Sequence, residues 1–295
     1  MLAALAPMLA QLPLSAERFQ RAPQWLSWLS NSIIVGIIVL VAILLWTRRA
    51  TKEIRLVPDK PGGQNLAEGV IEMLFSTLEG IVGGHMIAKV FPLLATFFLF
   101  ILTANWLSLL PGVGTVGFGS HRGPFFSHEH LEEPLLRAAN ADLNMTLAMA
   151  VIAMITWFYW TMREVGLWGF LKHNFGVKGG LKGVLALLLA PLFFFVGVIE
   201  IISISFRPVS LSLRLFGNVY AGENLLHTMS NLGHIVGAPG WLAFVMSFLV
   251  PVPFYFLEIL VGILQALVFT LLCAVYIQLS TTHEEGHEDD GHAAH

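Results

Sequence analysis

This chain predicts an all-α integral membrane protein: about five transmembrane helices, one amphipathic helix on the cytoplasmic surface, and a last pair of helices long and tilted as a hairpin. Three observations carry that expectation. Of 295 residues, 56% are hydrophobic and 12% charged, against about 25% charged in ordinary soluble domains, and the mean hydropathy is +0.74. The apolar residues gather in runs at least as long as the ~20 residues a helix needs to cross a bilayer. Lys and Arg cluster after the first and third of these runs, as they do on the cytoplasmic side of membrane proteins. A single membrane domain over 1–295 is expected, with a surface segment at 1–24, a helical membrane region at 25–280 and a His- and acid-rich tail at 281–295.

The first twenty residues are apolar but hold no Lys or Arg before Arg18, so they lack the charged start of a secretory signal. They read as a membrane-surface segment. Span one covers residues 25–46, with Trp25 and Trp46 as interfacial anchors, and ends at Arg48, Arg49, Lys52 and Arg55. A turn follows. Residues 65–82 then carry Glu68, Glu72 and Glu79 among apolar residues at helical spacing, the pattern of a helix lying on the cytoplasmic surface. Span two covers 90–110 and stops at Pro111-Gly112. The loop 112–140 holds only Arg122 and Arg137 as bases and belongs outside.

Span three covers 143–162. Arg163, Lys172, Lys178 and Lys182 follow it in a loop that should be cytoplasmic. The run 184–232 is longer than any perpendicular span, so it must tilt, bend or run partly along the membrane, and Pro208 is a candidate bend. Gly237-Ala238-Pro239-Gly240 turns the chain into a last long helix, 241–280, whose Glu258, Gly262, Gln265, Phe269 and Tyr276 share a face. The N-terminus is then outside and the C-terminus cytoplasmic.

Within the fourth run stands Arg214. A charge at the centre of a spanning helix costs about 2.5–3.5 kcal/mol on insertion scales, so such a residue is functional by default. At about 100° per residue, Glu200, Ser203, Arg207, Ser210, Arg214, Gly217, Asn218 and Ala221 form one polar or small stripe. The positions one turn away are Ser210, Leu211, Gly217 and Asn218, none of them acidic. Arginine cannot escape by losing its proton, so a carboxylate from elsewhere must meet it. That partner is either internal, such as Glu258 in a static buried pair, or on another molecule.

The segment Pro208-Val209-Ser210-Leu211-Ser212-Leu213-Arg214-Leu215-Phe216-Gly217-Asn218, with Ala221-Gly222-Glu223, closely resembles the signature of subunit a of F-type ATP synthases. Asn105 to Pro111, Ala141-Asp142-Leu143-Asn144 and Leu264-Gln265-Ala266 resemble further landmarks of that family in the same order. The likeness spans roughly residues 67–279. It implies a bacterial plasma (inner) membrane protein, the non-catalytic stator of a rotary motor. The implied partners are a c-ring of carboxylate-bearing subunits, peripheral-stalk b subunits and the remainder of the synthase, all within a lipid bilayer. Two ion half-channels would load and unload the ring. No cofactor and no metal are implied.

On this resemblance Arg214 is the essential charge that meets each ring carboxylate, with Asn218 and Gln265 as possible supports of its guanidinium. Glu223 lies nine residues on, about 180° around the helix and about 13 Å along it, so it suits a water-filled channel on the far side. Glu258, one heptad before Gln265, shares that role, although family members often have histidine at one of the two positions. Asp142, Asn144 and Asn105 would open an inlet funnel, or Asp142 could simply cap span three. Glu200 would lie toward the cytoplasmic outlet, or pair with Arg207.

Other classes of function find less support. A stand-alone ion-coupled transporter or proton channel is the alternative, but the inverted repeats of that class are not found. An intramembrane enzyme finds no support, since no HExxH, GxSxG or Asp pair occurs at a matching depth within the apolar runs. The single cysteine, Cys273, rules out a disulfide framework, and nothing resembles a nucleic-acid footprint. His121, His128 and His130, and His283, His287, His292 and His295, have spacings that could hold a metal but read as a solvated loop and tail.

Overall fold

The computed structural model describes residues 30–51, 63–110, 117–118, 133–134, 137–175 and 184–281. The expectations for the N-terminal segment, the histidine loop and the His-rich tail fall outside these residues. The described helices are α1 Asn31–Ala50, α2 Gly63–Val82, α3 Gly84–Ser108, α4 Leu143–Glu164, α5 Gly166–Phe175, α6 Val184–Ser230, α7 Leu232–Ile235, α8 Gly240–Leu249 and α9 Pro251–Thr281. A two-residue antiparallel pair, β1 Gly117–Phe118 with β2 Glu133–Pro134, and a 3₁₀ turn Ala139–Ala141 precede α4.

Among the described residues, five stretches are long and apolar enough to cross a membrane: Asn31–Ala50, Gly84–Ser108, Leu143–Glu164, Leu188–Ser230 and Gly240–Ser280. All-helical spans satisfy every backbone group internally, which the hydrocarbon layer demands. Span two starts six residues earlier than its apolar pattern, because Gly83 at φ +83° ends α2 and Gly84 begins α3 directly. The segment after span three is a correction: a ten-residue helix, α5, stands where a loop is expected. Gly166 at φ +74° redirects the chain without ending its helical run. The last helix is a second correction. Its hydrogen-bond ladder breaks between α8 and α9, since Pro251 and Pro253 have no N–H to donate, although Val250 keeps helical angles of φ −68° and ψ −40°.

α6 runs through Pro191 and Pro208 as one 47-residue helix. It is joined through α7 and α8 to α9, and α9 packs against α2, α3, α4 and α6. The main core forms where these helices meet, around Leu78, Val90, Leu94, Ile101, Ala150, Leu215, Ala266 and Ala274. α2 buries Ala67, Leu74, Leu78 and Val82 on this core and leaves its glutamates exposed, as an amphipathic helix should. α6 differs from its neighbours. Only 6% of its most apolar window is buried within the chain, and Leu192, Phe195, Ile202, Phe206 and Leu213 are exposed.

Candidate functional site

Two faces of α6 have opposite surroundings. Leu211, Ser212, Leu215, Phe216, Val219 and Gly222 are buried against the rest of the chain. The stripe Glu200, Ser203, Ser210, Arg214 and Ala221 is exposed, with Arg207, Gly217 and Asn218 partly so. A Cβ placed on Gly217 would meet nothing within 4 Å. Among the described residues, Arg214 takes part in neither of the ion pairs, Lys89–Glu164 and Arg207–Glu200. Neither Asn218 nor Gln265 is bonded to its guanidinium. A static pair with Glu258 does not form among the described residues, because the Glu258 carboxylate lies against Gly222, eight residues and about 12 Å along the axis of α6 from Arg214.

Glu258 sits there because Gly222 has no side chain. A Cβ at position 222 would fall on the Glu258 carboxylate itself. Asn105, Ser108, Gly222, Glu223, Glu258, Gly262 and Gln265, with Leu109, Val219, Leu226 and Val261, line a cavity of about 30 Å³. That volume takes about two water molecules. The Oε2 atom of Glu223 is buried with no hydrogen-bond partner among the described residues. Four predicted residues from three helices therefore converge: Asn105 of α3, Glu223 of α6, and Glu258 and Gln265 of α9.

The cavity wall is held by amide bonds. The Nδ2 of Asn105 donates to the carbonyl of Gly262 at 3.3 Å, and its Oδ1 accepts from Nδ2 of Asn140 at 2.7 Å. Asn140 is fully buried in the 3₁₀ turn. Arg137, three residues earlier, is only 6% exposed. Sequence reasoning passes over Arg137, since a single arginine in a loop between spans, even beside Leu135, Leu136, Ala138 and Ala139, gives no sign of what it will pack against. Those apolar flanks, and its position five residues before the cap of α4, are the available hints.

The remaining candidates lie elsewhere. Asp142 is the N-cap of α4; its Oδ1 accepts from the backbone N–H of Asn144 at 3.0 Å and from Nδ2 of Asn144 at 3.2 Å. Glu200 accepts from Nη2 of Arg207 at 3.4 Å. No group of three or more possible metal ligands occurs among the described residues.

An exposed arginine within an apolar helix, backed by two half-buried carboxylates around a small cavity, suits transfer of a proton or cation across a membrane. Comparison with known proteins agrees. The family described as ATP synthase A chain matches residues 29–278. A protein named ATP synthase subunit a from Protochlamydia amoebophila (strain UWE25) is 32% identical over 278 residues, 92% of this chain and 88% of its own length. Others of that name, from Geotalea daltonii (strain DSM 22248 / JCM 15807 / FRC-32) and Gloeobacter violaceus (strain ATCC 29082 / PCC 7421), are 34% and 30% identical. They cover 86% and 87% of this chain, and 86% of their own length in each case. The family profile covers well over half of the chain, and with these relatives it establishes that the chain belongs to the ATP synthase A chain family.

Proposed function

We propose that Arg214 and the Glu223–Glu258 cavity, on opposite sides of α6, are the two working parts through which this chain moves protons. As a member of its family the chain is the non-catalytic, proton-translocating stator component of an F-type ATP synthase, and it works with the rest of that complex. Its five apolar helices make it a multi-pass bacterial membrane protein. Family membership favours this reading over a stand-alone transporter or channel.

The finer reading is as follows. The exposed stripe of α6 faces a ring of carboxylate-bearing subunits, and Arg214 meets each ring carboxylate as it arrives. An opposite charge nearby favours the ionised form of a carboxylate, so the ring group gives up its proton before it passes. The cavity is the inner end of an inlet half-channel, where Asn105, Glu223, Glu258 and Gln265 hand the proton to the ring. The outlet follows the stripe from Arg214 toward Glu200. Peripheral-stalk b subunits hold the chain against the ring, in the bacterial inner membrane, with the N-terminus outside and the C-terminus cytoplasmic. The observation carrying this reading is the separation of an exposed arginine, with no ion-pair partner among the described residues, from a cavity between α6 and α9 that holds Glu223 and Glu258.

The test is ATP-driven acidification of inverted vesicles carrying the whole complex, with passive proton leak measured after removal of the catalytic head. Arg214→Ala should abolish pumping in an assembled complex and leave the leak unchanged or raised. Normal pumping by that variant would make the arginine structural and defeat the reading.

A further inference from the structure

We propose that Arg207 is a positioning residue for Glu200, caged by Trp157 and Tyr276 so that the outlet lane of α6 presents an acid rather than a second free cation. This rests on the stator reading above. Arg207 and Arg214 are one heptad apart, so they fall within about 20° on the same stripe and about 10 Å apart along the axis. Their surroundings are opposite. Arg214 is exposed and takes part in no ion pair among the described residues. The Arg207 side chain is only 15% exposed, and its guanidinium lies 4.7 Å from the ring centre of Tyr276 on α9 and 5.7 Å from that of Trp157 on α4.

The cage is itself anchored. Nε1 of Trp157 donates to the backbone carbonyl of Tyr276 at 2.8 Å and to Oγ of Ser280 at 2.9 Å, which ties the Trp157 ring to the stretch of α9 that carries Tyr276. Trp157 is 4% exposed. Two π faces attract a cation without neutralising it, and the planar guanidinium suits stacking in a way an ammonium does not. What the cage leaves outside is the carboxylate of Glu200, 49% exposed and within 3.4 Å of Nη2.

The consequence follows from the order of groups along the stripe. From Arg214 toward the N-terminal end of α6 come Ser210, Arg207, Ser203 and Glu200. An unrestrained arginine midway along that lane would compete with Arg214 for ring carboxylates and repel a departing proton. Drawn aside between α4 and α9, Arg207 instead holds the terminal acid of the lane in place, so the charge met after Arg214 is negative.

The experiment is ATP-driven proton pumping per assembled complex, with ring content measured in each preparation. It compares Arg207→Gln, Arg207→Lys, Glu200→Gln and the double variant Arg207→Gln with Glu200→Gln. Arg207→Gln and Glu200→Gln should each lower pumping three- to ten-fold. The double variant should match Glu200→Gln within two-fold, because Arg207 acts through that carboxylate, and Arg207→Lys should retain more pumping than Arg207→Gln. Multiplied effects in the double variant, or no loss with Arg207→Gln, would overturn the inference. If Arg207→Gln does not assemble, Tyr276→Leu removes the nearer ring and keeps both charges. It should lower pumping two- to three-fold in the natural background and not at all with Glu200→Gln, and any other result overturns the inference. Arg214→Ala in the same series separates the two readings: if it pumps normally the stator reading fails, and if it alone is silent only the role of Arg207 is in question.

Discussion

Gly222→Ala adds one methyl group at the point where the cavity depends most on its absence. The new Cβ would coincide with the Glu258 carboxylate, closer than van der Waals contact allows to all three of its terminal atoms. The backbone of α6 does not have to move, because the obstructing group is the far end of a rotatable side chain. Retreat of the carboxylate by more than an ångström removes the clash. Alanine also favours a helix over glycine by about 0.5–1 kcal/mol, so the folded chain should be as stable as before or slightly more so. Function should suffer instead. Displacement of about 1 Å from a productive geometry can cost roughly 10²-fold in a transfer step, and Glu258 would leave the cavity it shares with Glu223. Pumping per assembled complex should fall by about 10- to 100-fold, with normal ring content and unchanged thermal stability of the complex. Pumping within two-fold of the natural protein would refute the reasoning, since the position of the Glu258 carboxylate would then not matter.

Three further expectations follow from the same geometry. Arg214→Lys keeps the charge but loses the planar fork and the unshiftable protonation of arginine, so ion-driven ATP synthesis should fall more than about ten-fold; full synthesis would contradict the need for a guanidinium. Asp142→Ala removes the N-cap bonds of α4 and should cost about 0.5–2 kcal/mol. A lower melting temperature with pumping within two-fold of normal would mark capping as its main task, whereas lost pumping at unchanged stability would return it to the inlet. Gly233→Ala would drive a Cβ to 2.7 Å from the Cα and 2.9 Å from the carbonyl oxygen of Ala243. Backbone cannot swing aside, so this overpacking should cost about 1–3 kcal/mol, seen as faster proteolysis between α7 and α8.

What the sequence by itself determined is the membrane class, the spans and the exceptional status of Arg214. Hydropathy, the grouping of bases and the 3.6-residue period are local properties, and the bilayer turns them into helices with little help from packing. The stripe through Arg214 was legible for the same reason, since one helix carries all of it. The helix α5 and the break at Val250 were less so: Gly166 and Pro251 modify a helical run rather than stop it, and the outcome depends on what the neighbouring helices allow. Whether Arg214 paired with Glu258 could be decided only by tertiary structure. Gly222 lets Glu258 approach α6 about two turns beyond Arg214, from a point 36 residues further along the chain. The cavity and the cage around Arg207 are contacts between helices distant in sequence, and the burial of Arg137 depends on the same packing. Periodicity assigns a residue to a face of its own helix, but which face meets which neighbour is set by side-chain volumes and close approaches summed over the whole bundle.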